Sequence, residues 1–196
     1  RVQIELARNL KASVQHRRKI STHNKKGFDK NTKARQELRE HNVYPSLRQV
    51  KKYNLWLECN KECPFSGERI SFEDLFGNNP RFDIEHIYPW SRSLDDSYQN
   101  KLLCERTINA HQKGNQTPYE AFAAQEERYR QMLHRMKQHV TAGRMPKAKL
   151  ERFMDSNFRD KEKKFSERQM NDTRYISRTA KDYVKLICND VRTLQG

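Results

Sequence analysis

The sequence predicts an α+β fold: a small ββα metal core surrounded by helices, with helical linkers at both ends. Three features predict it. Two short strand-like runs, "RFDIEHI" and "NKLLCE", are separated by a long polar loop. A short polar segment, "RTINAHQKG", follows the second run and ends at Gly114, a residue suited to closing a helix. Elsewhere the apolar residues recur at helical spacing.

Taken in order, "RVQIELAR" alternates Val2, Ile4 and Leu6 against Gln3 and Glu5, the period-2 pattern of a strand. The next stretch, through Asn42, is polar and rich in Lys and Arg; it reads as an exposed helix or a linker with helical pieces. After Pro45, Leu47, Val50, Tyr53 and Leu57 fall at helical spacing, which places a helix over 46–59. Ser66-Gly67 marks a turn, and "FEDLF" a short helical stretch. "RFDIEHI" reads as a strand stopped by Pro89, and a loop through Asp95 and Asp96 leads to the strand "NKLLCE". Phe122, Tyr129, Met132, Leu133 and Met136 mark one face of a helix opening at Thr117-Pro118, and a second helix follows Pro146. "DSNFRDKEKKFSERQ" is a charged connector, and Ile176, Ala180, Tyr183, Val184 and Ile187 form the core stripe of a last helix. The organisation expected is 1–45 as an entering segment and basic linker, 46–140 as the core and 141–196 as a helical linker.

Composition bounds the function. Apolar residues make up only 34% of the 196 and charged residues 33%, so the core must be small and local. The net charge of +15 favours a polyanionic partner by counterion release and steering, though a basic surface serves solubility equally well. No run approaches the ~20 apolar residues of a membrane span, and no signal peptide is visible, so the expected setting is cytoplasmic and without a membrane. Cys59, Cys63, Cys104 and Cys188 form no dense disulfide framework. Cys59 and Cys63 raise the question of a structural zinc, but Cys104 is the only nearby third thiol, and buried free thiols are the better reading. The chain opens without methionine, directly in "VQIEL", as a piece of a longer protein would.

The chemistry concentrates in "FDIEHIYPWSRSLDDSYQNKLLCERTIN". Hydrolysis of a phosphodiester needs an activated water and a cation on the developing charge. His86 suits a general base, because an unperturbed imidazole titrates near pH ~6.5. Glu85 and the amide oxygen of Asn109 are hard ligands of the kind Mg²⁺ prefers. Neighbours in a regular strand point to opposite faces, so Glu85 and His86 share a site only if the chain bends on its way to Pro89. Asp83, on the same face as Glu85, is the fallback ligand. Spacing alone leaves a metal site and an ordinary strand–helix pair both open. His111 lies about 200° around a helix from Asn109 and cannot face the same cation. His16, His23, His41, His134 and His139 read as exposed. Lys101, Arg106 and Lys113 surround the motif as candidate nucleic-acid contacts, Lys113 first among them. Trp56 suits helix packing and Trp90 a more open position.

"FDIEHIYPWSRSLDDSYQNKLL" together with "KGNQTPYEAF" resembles the HNH nuclease domain of the type II CRISPR RNA-guided DNA endonucleases, the Cas nine family, and is most similar to its compact type II-C branch. The likeness is dense from about Leu55 through Phe122. "NDTRYISR" resembles the linker that leads back to the family's second nuclease, RuvC, and "VQIELAR" its second RuvC segment. The resemblance implies that His86 is the general base activating water against the guide-paired target strand. It implies that Glu85, where Asp is usual, and Asn109 hold Mg²⁺, with Mn²⁺ a possible substitute. Asn100 then holds the His86 loop rather than touching the metal, and Glu5 is a RuvC carboxylate whose site is incomplete here. The implied partners are target DNA, guide RNA through the parent protein, and the remainder of the nuclease chain, RuvC included. Two alternatives stand beside this reading: a free-standing HNH endonuclease of the homing or restriction type, and a catalytically silent basic module that only binds nucleic acid.

Overall fold

The computed structural model describes residues 14–162, with 179–180, 182–184 and 186; Glu5, the strand expected at Val2–Leu6, and most of the last helix lie outside them. The chain divides into two compact units, 1–57 and 58–196.

The first unit contains a long helix, α1 (Val14–Glu40), and most of α2 (Leu47–Glu58). The polar stretch after Arg8 is therefore helical from Val14 to Glu40. Only Ala34 and Leu38, one turn apart on α1, are buried among its described residues; Val50 and Tyr53 are buried on α2. Asn42 takes the left-handed conformation (φ 58°) that ends α1, and the Val43 N–H returns to the Leu38 carbonyl at 2.8 Å. Arg35 then donates to the Pro45 carbonyl (2.9 Å), which ties the turn to the helix it leaves.

In the second unit, the turn expected at Ser66-Gly67 is tight: Gly67 has φ 79° and donates to the Cys63 carbonyl at 2.8 Å. A side chain there would meet the Arg135 guanidinium at 3.0 Å, which itself donates to the Pro64 and Phe65 carbonyls (3.2 and 2.9 Å). Helix α3 (Phe72–Phe76) opens on a reciprocal Ser71–Asp74 capping box. Strands β1 (Phe82–His86) and β2 (Lys101–Glu105) pair antiparallel, with Glu85 opposite Leu102 and His86 opposite Lys101. Between them lie the short helix α4 (Trp90–Ser93) and a 3₁₀ turn, Tyr98–Asn100. A short α5 (Arg106–Ile108) continues into a π-helical turn, Asn109–Lys113, ended by Gly114 at φ 51°.

The single helix expected from Thr117 is two. Thr117 and Glu120 cap α6 (Pro118–Phe122), and the backbone leaves helical geometry at Gln125 before α7 (Glu126–Thr141). Phe122 thus belongs to α6 and Met132 and Met136 to α7, all three fully buried. His139, expected at the surface, is buried on α7, and desolvation lowers its pKa. Helix α8 (Lys147–Phe153) follows Pro146 as expected.

An aromatic cluster closes this unit. Phe65 packs on Phe153 and Phe122 (5.3 and 6.2 Å between ring centres), and Tyr88 stacks on Phe158 at 4.5 Å. Phe153 and Phe158 come from beyond residue 140, so the boundary expected there is crossed by core packing. Tyr183 and Val184, read as core, are 37% exposed; Ile176 and Ile187 lie outside the described residues. Among the described residues no helix is long and apolar enough to cross a membrane.

Candidate active site

Two short strands alone are marginal in water, and the β1–β2 loop is fixed from several sides. Asn100, fully buried, accepts from the Tyr88 N–H (2.9 Å) and donates to the carbonyls of Tyr88 (2.9 Å) and Asp95 (2.8 Å). One side chain thereby clamps both ends of the loop that follows His86. The Tyr88 hydroxyl donates to Asp155 (2.6 Å), and burial, followed by that carboxylate, pushes its pKa up. Arg92 grips Glu120 with both terminal nitrogens (2.6 and 3.1 Å) and reaches Glu162 at 2.8 Å. Farther along, Tyr98 donates to Glu58 (2.9 Å), which is paired with the fully buried Lys149. Arg152 holds Asp95 at 3.0 Å.

Within this frame the motif residues separate into two groups. On one face of β1, Glu85 accepts from the Asn109 amide nitrogen at 2.6 Å and from the Lys113 ammonium at 2.6 Å. Asn109 and Lys113 begin and end the π-helical turn, whose wider winding brings both onto the face turned to β1. Glu85 is 14% exposed and Lys113 fully buried. Asp83, the fallback ligand, shares this face by register. It accepts from its neighbour's N–H at Ile84 (2.8 Å) and lies 3.4 Å from Arg106.

His86 leaves the strand on the other face. Its Nε2 meets Asp96 at 2.9 Å, and Lys101, directly across the ladder, meets the same carboxylate at 2.6 Å. These partners, Lys101 first, hold the Asp96 carboxyl down at about 2. The bend that a shared site would require before Pro89 does not bring His86 beside Glu85. The ladder continues one bond farther, from the Ile87 N–H to the Asn100 carbonyl at 2.8 Å, so the two side chains remain on opposite faces.

Two of the expected nucleic-acid contacts are paired within the chain. Lys113 is enclosed against Glu85, and Lys101 is nearly buried on Asp96, so neither presents its charge to a backbone here. Arg106 remains half-exposed. His111 is exposed on the π turn, and Trp90 is 54% exposed. Asp96 as the partner of His86, and Lys113 as the partner of Glu85, were missed in the sequence. Pairing of residues 10 and 28 positions apart has no local signature. Cys59, Cys63 and Cys104 are buried and outside any disulfide, and burial pushes the Cys59 thiol up to about 12. Among the described residues no three His, Cys, Asp or Glu side chains group to hold a metal ion.

Residues 63–119 match the HNH endonuclease family. Across 141 residues the chain is 35% identical to the CRISPR-associated endonuclease Cas9 1 of Streptococcus thermophilus, covering 70% of this chain and 12% of the relative. The chain carries the HNH nuclease domain of a type II Cas9 protein. It is also 36% identical over 139 residues to the Cas9 of Campylobacter jejuni, covering 70% of this chain and 13% of that one. A crystal structure of Streptococcus thermophilus Cas9 in complex with an AGGA PAM superposes with a TM-score of 0.67 at 25% identity, over 90% of this chain and 18% of the other. The chain thus spans about an eighth of the curated relatives it matches. The expected α+β fold with a ββα core agrees with the two-stranded sheet and with this likeness.

Proposed function

We propose that this domain hydrolyses the guide-RNA-paired strand of target DNA within a larger CRISPR effector, with Mg²⁺ as resident cation and Mn²⁺ as a working substitute. The observation that carries the reading is the meeting of the Glu85 carboxylate and the Asn109 amide at 2.6 Å, inside the matched HNH region. A carboxylate and an amide oxygen are hard donors that fit such an ion, with waters and phosphate oxygens completing its shell. A divalent cation held there would offset negative charge developing on the scissile phosphate and its leaving oxygen.

His86 is the proposed base. A carboxylate only accepts, so a neutral imidazole facing Asp96 carries its proton on Nε2 and keeps the Nδ1 lone pair for a water proton. Because His86 and Glu85 leave β1 on opposite faces, engaging one phosphate requires the imidazole to turn toward the strand's end. Asn100 is proposed to hold the loop and Arg106 to touch the substrate backbone. We further propose residues 1–45 as the end of a RuvC segment, with Glu5 belonging to that second site, and a linker. The HNH core then extends through Phe158, and the remainder leads back toward RuvC. The setting would be a prokaryotic cytoplasm.

The test uses the full-length nuclease with guide RNA, Mg²⁺ and separately labelled DNA strands. His86→Ala should abolish cutting of the guide-paired strand alone, and Glu5→Ala should spare that strand. Both strands cut at normal rates by His86→Ala would overturn the assignment. Chelation by EDTA separates this reading from a silent binding module, whose affinity would fall with salt and ignore the chelator.

A further inference from the structure

Glu85 already holds a cation, and that cation belongs to the protein. The Lys113 ammonium lies 2.6 Å from one carboxylate oxygen, and the Asn109 amide nitrogen 2.6 Å from the other. Each oxygen therefore has a donor before any ion arrives. The Lys113 side chain is fully buried, so its ammonium is screened little by water. A divalent ion on the same carboxylate would lie within a few ångströms of that ammonium, where like charges repel strongly. A buried ammonium without an anion is itself costly. The ion can displace Lys113 only if another anion then takes the ammonium.

From this geometry we infer that Lys113 competes with the catalytic cation for Glu85, so that the site binds the ion weakly until a substrate phosphate arrives to receive the displaced ammonium. The inference rests on the metal-site reading above and makes Lys113 the residue that couples ion binding to substrate binding. The π-helical turn is the structural means. It carries Asn109, which the ion would share with Glu85, and Lys113, which the ion would displace, on one short piece of backbone closed from the Gly114 N–H to the Asn109 carbonyl at 2.8 Å. A phosphate that draws Lys113 away would turn the Asn109 amide at the same time.

The test measures Mn²⁺ binding to the 196-residue chain by electron paramagnetic resonance, without nucleic acid, for the unaltered chain, Lys113→Met, Lys113→Gln and Glu85→Ala. The neutral Lys113 variants should bind Mn²⁺ at least tenfold more tightly than the unaltered chain, and Glu85→Ala should abolish that binding. Equal or weaker binding by Lys113→Met and Lys113→Gln would overturn the competition while leaving the metal site standing. Binding that persists in Glu85→Ala, or is absent from every protein, would overturn the metal reading itself. A measurement without substitution guards against misfolded variants. In ¹⁵N-labelled unaltered chain, the Lys113 ammonium should give a protected resonance that shifts or exchanges away as Mg²⁺ is added with a short DNA strand. A resonance unmoved at saturating Mg²⁺ and DNA would also overturn the inference.

Discussion

Asn100 offers a sharp quantitative test, because its side chain makes three bonds from a fully buried position. Replacement by Ala leaves the Tyr88 N–H without its partner, leaves the Tyr88 carbonyl only a long bond from the Ser93 hydroxyl at 3.5 Å, and opens a small void. The Asp95 carbonyl lies nearer solvent and can turn to water. One orphaned buried group and one left with only a long bond, at about 1–2 kcal/mol and about 1 kcal/mol, put the loss at about 2–3 kcal/mol. Asn100→Asp should be at least as damaging. It keeps the acceptor for Tyr88 but sets a carboxylate against the two carbonyls that the amide nitrogen served. Burial beside those oxygens raises the carboxyl's folded pKa above its unfolded value. The variant is therefore most stable at acid pH and loses stability as pH rises through the folded value. Urea unfolding followed by circular dichroism at pH 5 and pH 7 measures both effects. Loss below about 1 kcal/mol for Asn100→Ala, or an Asn100→Asp chain as stable as the parent at pH 7, would refute the clamp. If Asn100 is a strut and not a ligand, the folded Asn100→Ala chain should also bind Mn²⁺ as the parent does.

Other outcomes follow from the same network. Lys149→Met should cost about 3–5 kcal/mol, since it strands the nearly buried Glu58 carboxylate, and adding Glu58→Gln should recover a large part of that in thermal melts. Glu120 is held down at about 2, first by the Arg92 fork, against an ordinary value of 4.5. Its contribution is present above the ordinary value and should disappear as pH falls from about 4.5 toward 2. About 2 kcal/mol is at stake after discounting for partial exposure, and Glu120→Gln should flatten that part of the acid-unfolding curve. The neutral His86 ring should carry its proton on Nε2, which long-range ¹⁵N–¹H correlation reads directly. Asp96→Ala should weaken that preference, and an Nδ1–H ring in the unaltered chain would contradict the pairing.

The sequence made the scaffold of the site legible and left its electrostatics hidden. Periodicity located α2, and β1 and β2 stood out as short apolar runs between turn signals. The Ser66-Gly67 turn and the Pro146 helix start were legible because local backbone chemistry decides them. The break between α6 and α7 was not, since no Gly or Pro interrupts "AFAAQEERY". The inward turn of Lys113 was hidden for another reason. A lysine beside a motif is usually a surface charge, and only a π-helical winding, closed at Gly114, sets this one against Glu85. His139 misled in the same way, as a polar letter on a helix whose buried face extends one turn farther than its methionines.

The partners of the β1–β2 loop have a practical consequence for anyone dissecting the enzyme. A fragment cut to the matched span, 63–119, would retain Glu85, His86, Asn100, Asn109 and Lys113. It would lose Asp155 beneath the Tyr88 hydroxyl, Phe158 under its ring, Glu58 at Tyr98 and Arg152 at Asp95. Such a minimal domain would hold the site's residues on a hairpin still clamped by Asn100 but stripped of its outer braces, and its silence in an assay would report on the scissors rather than on the residues.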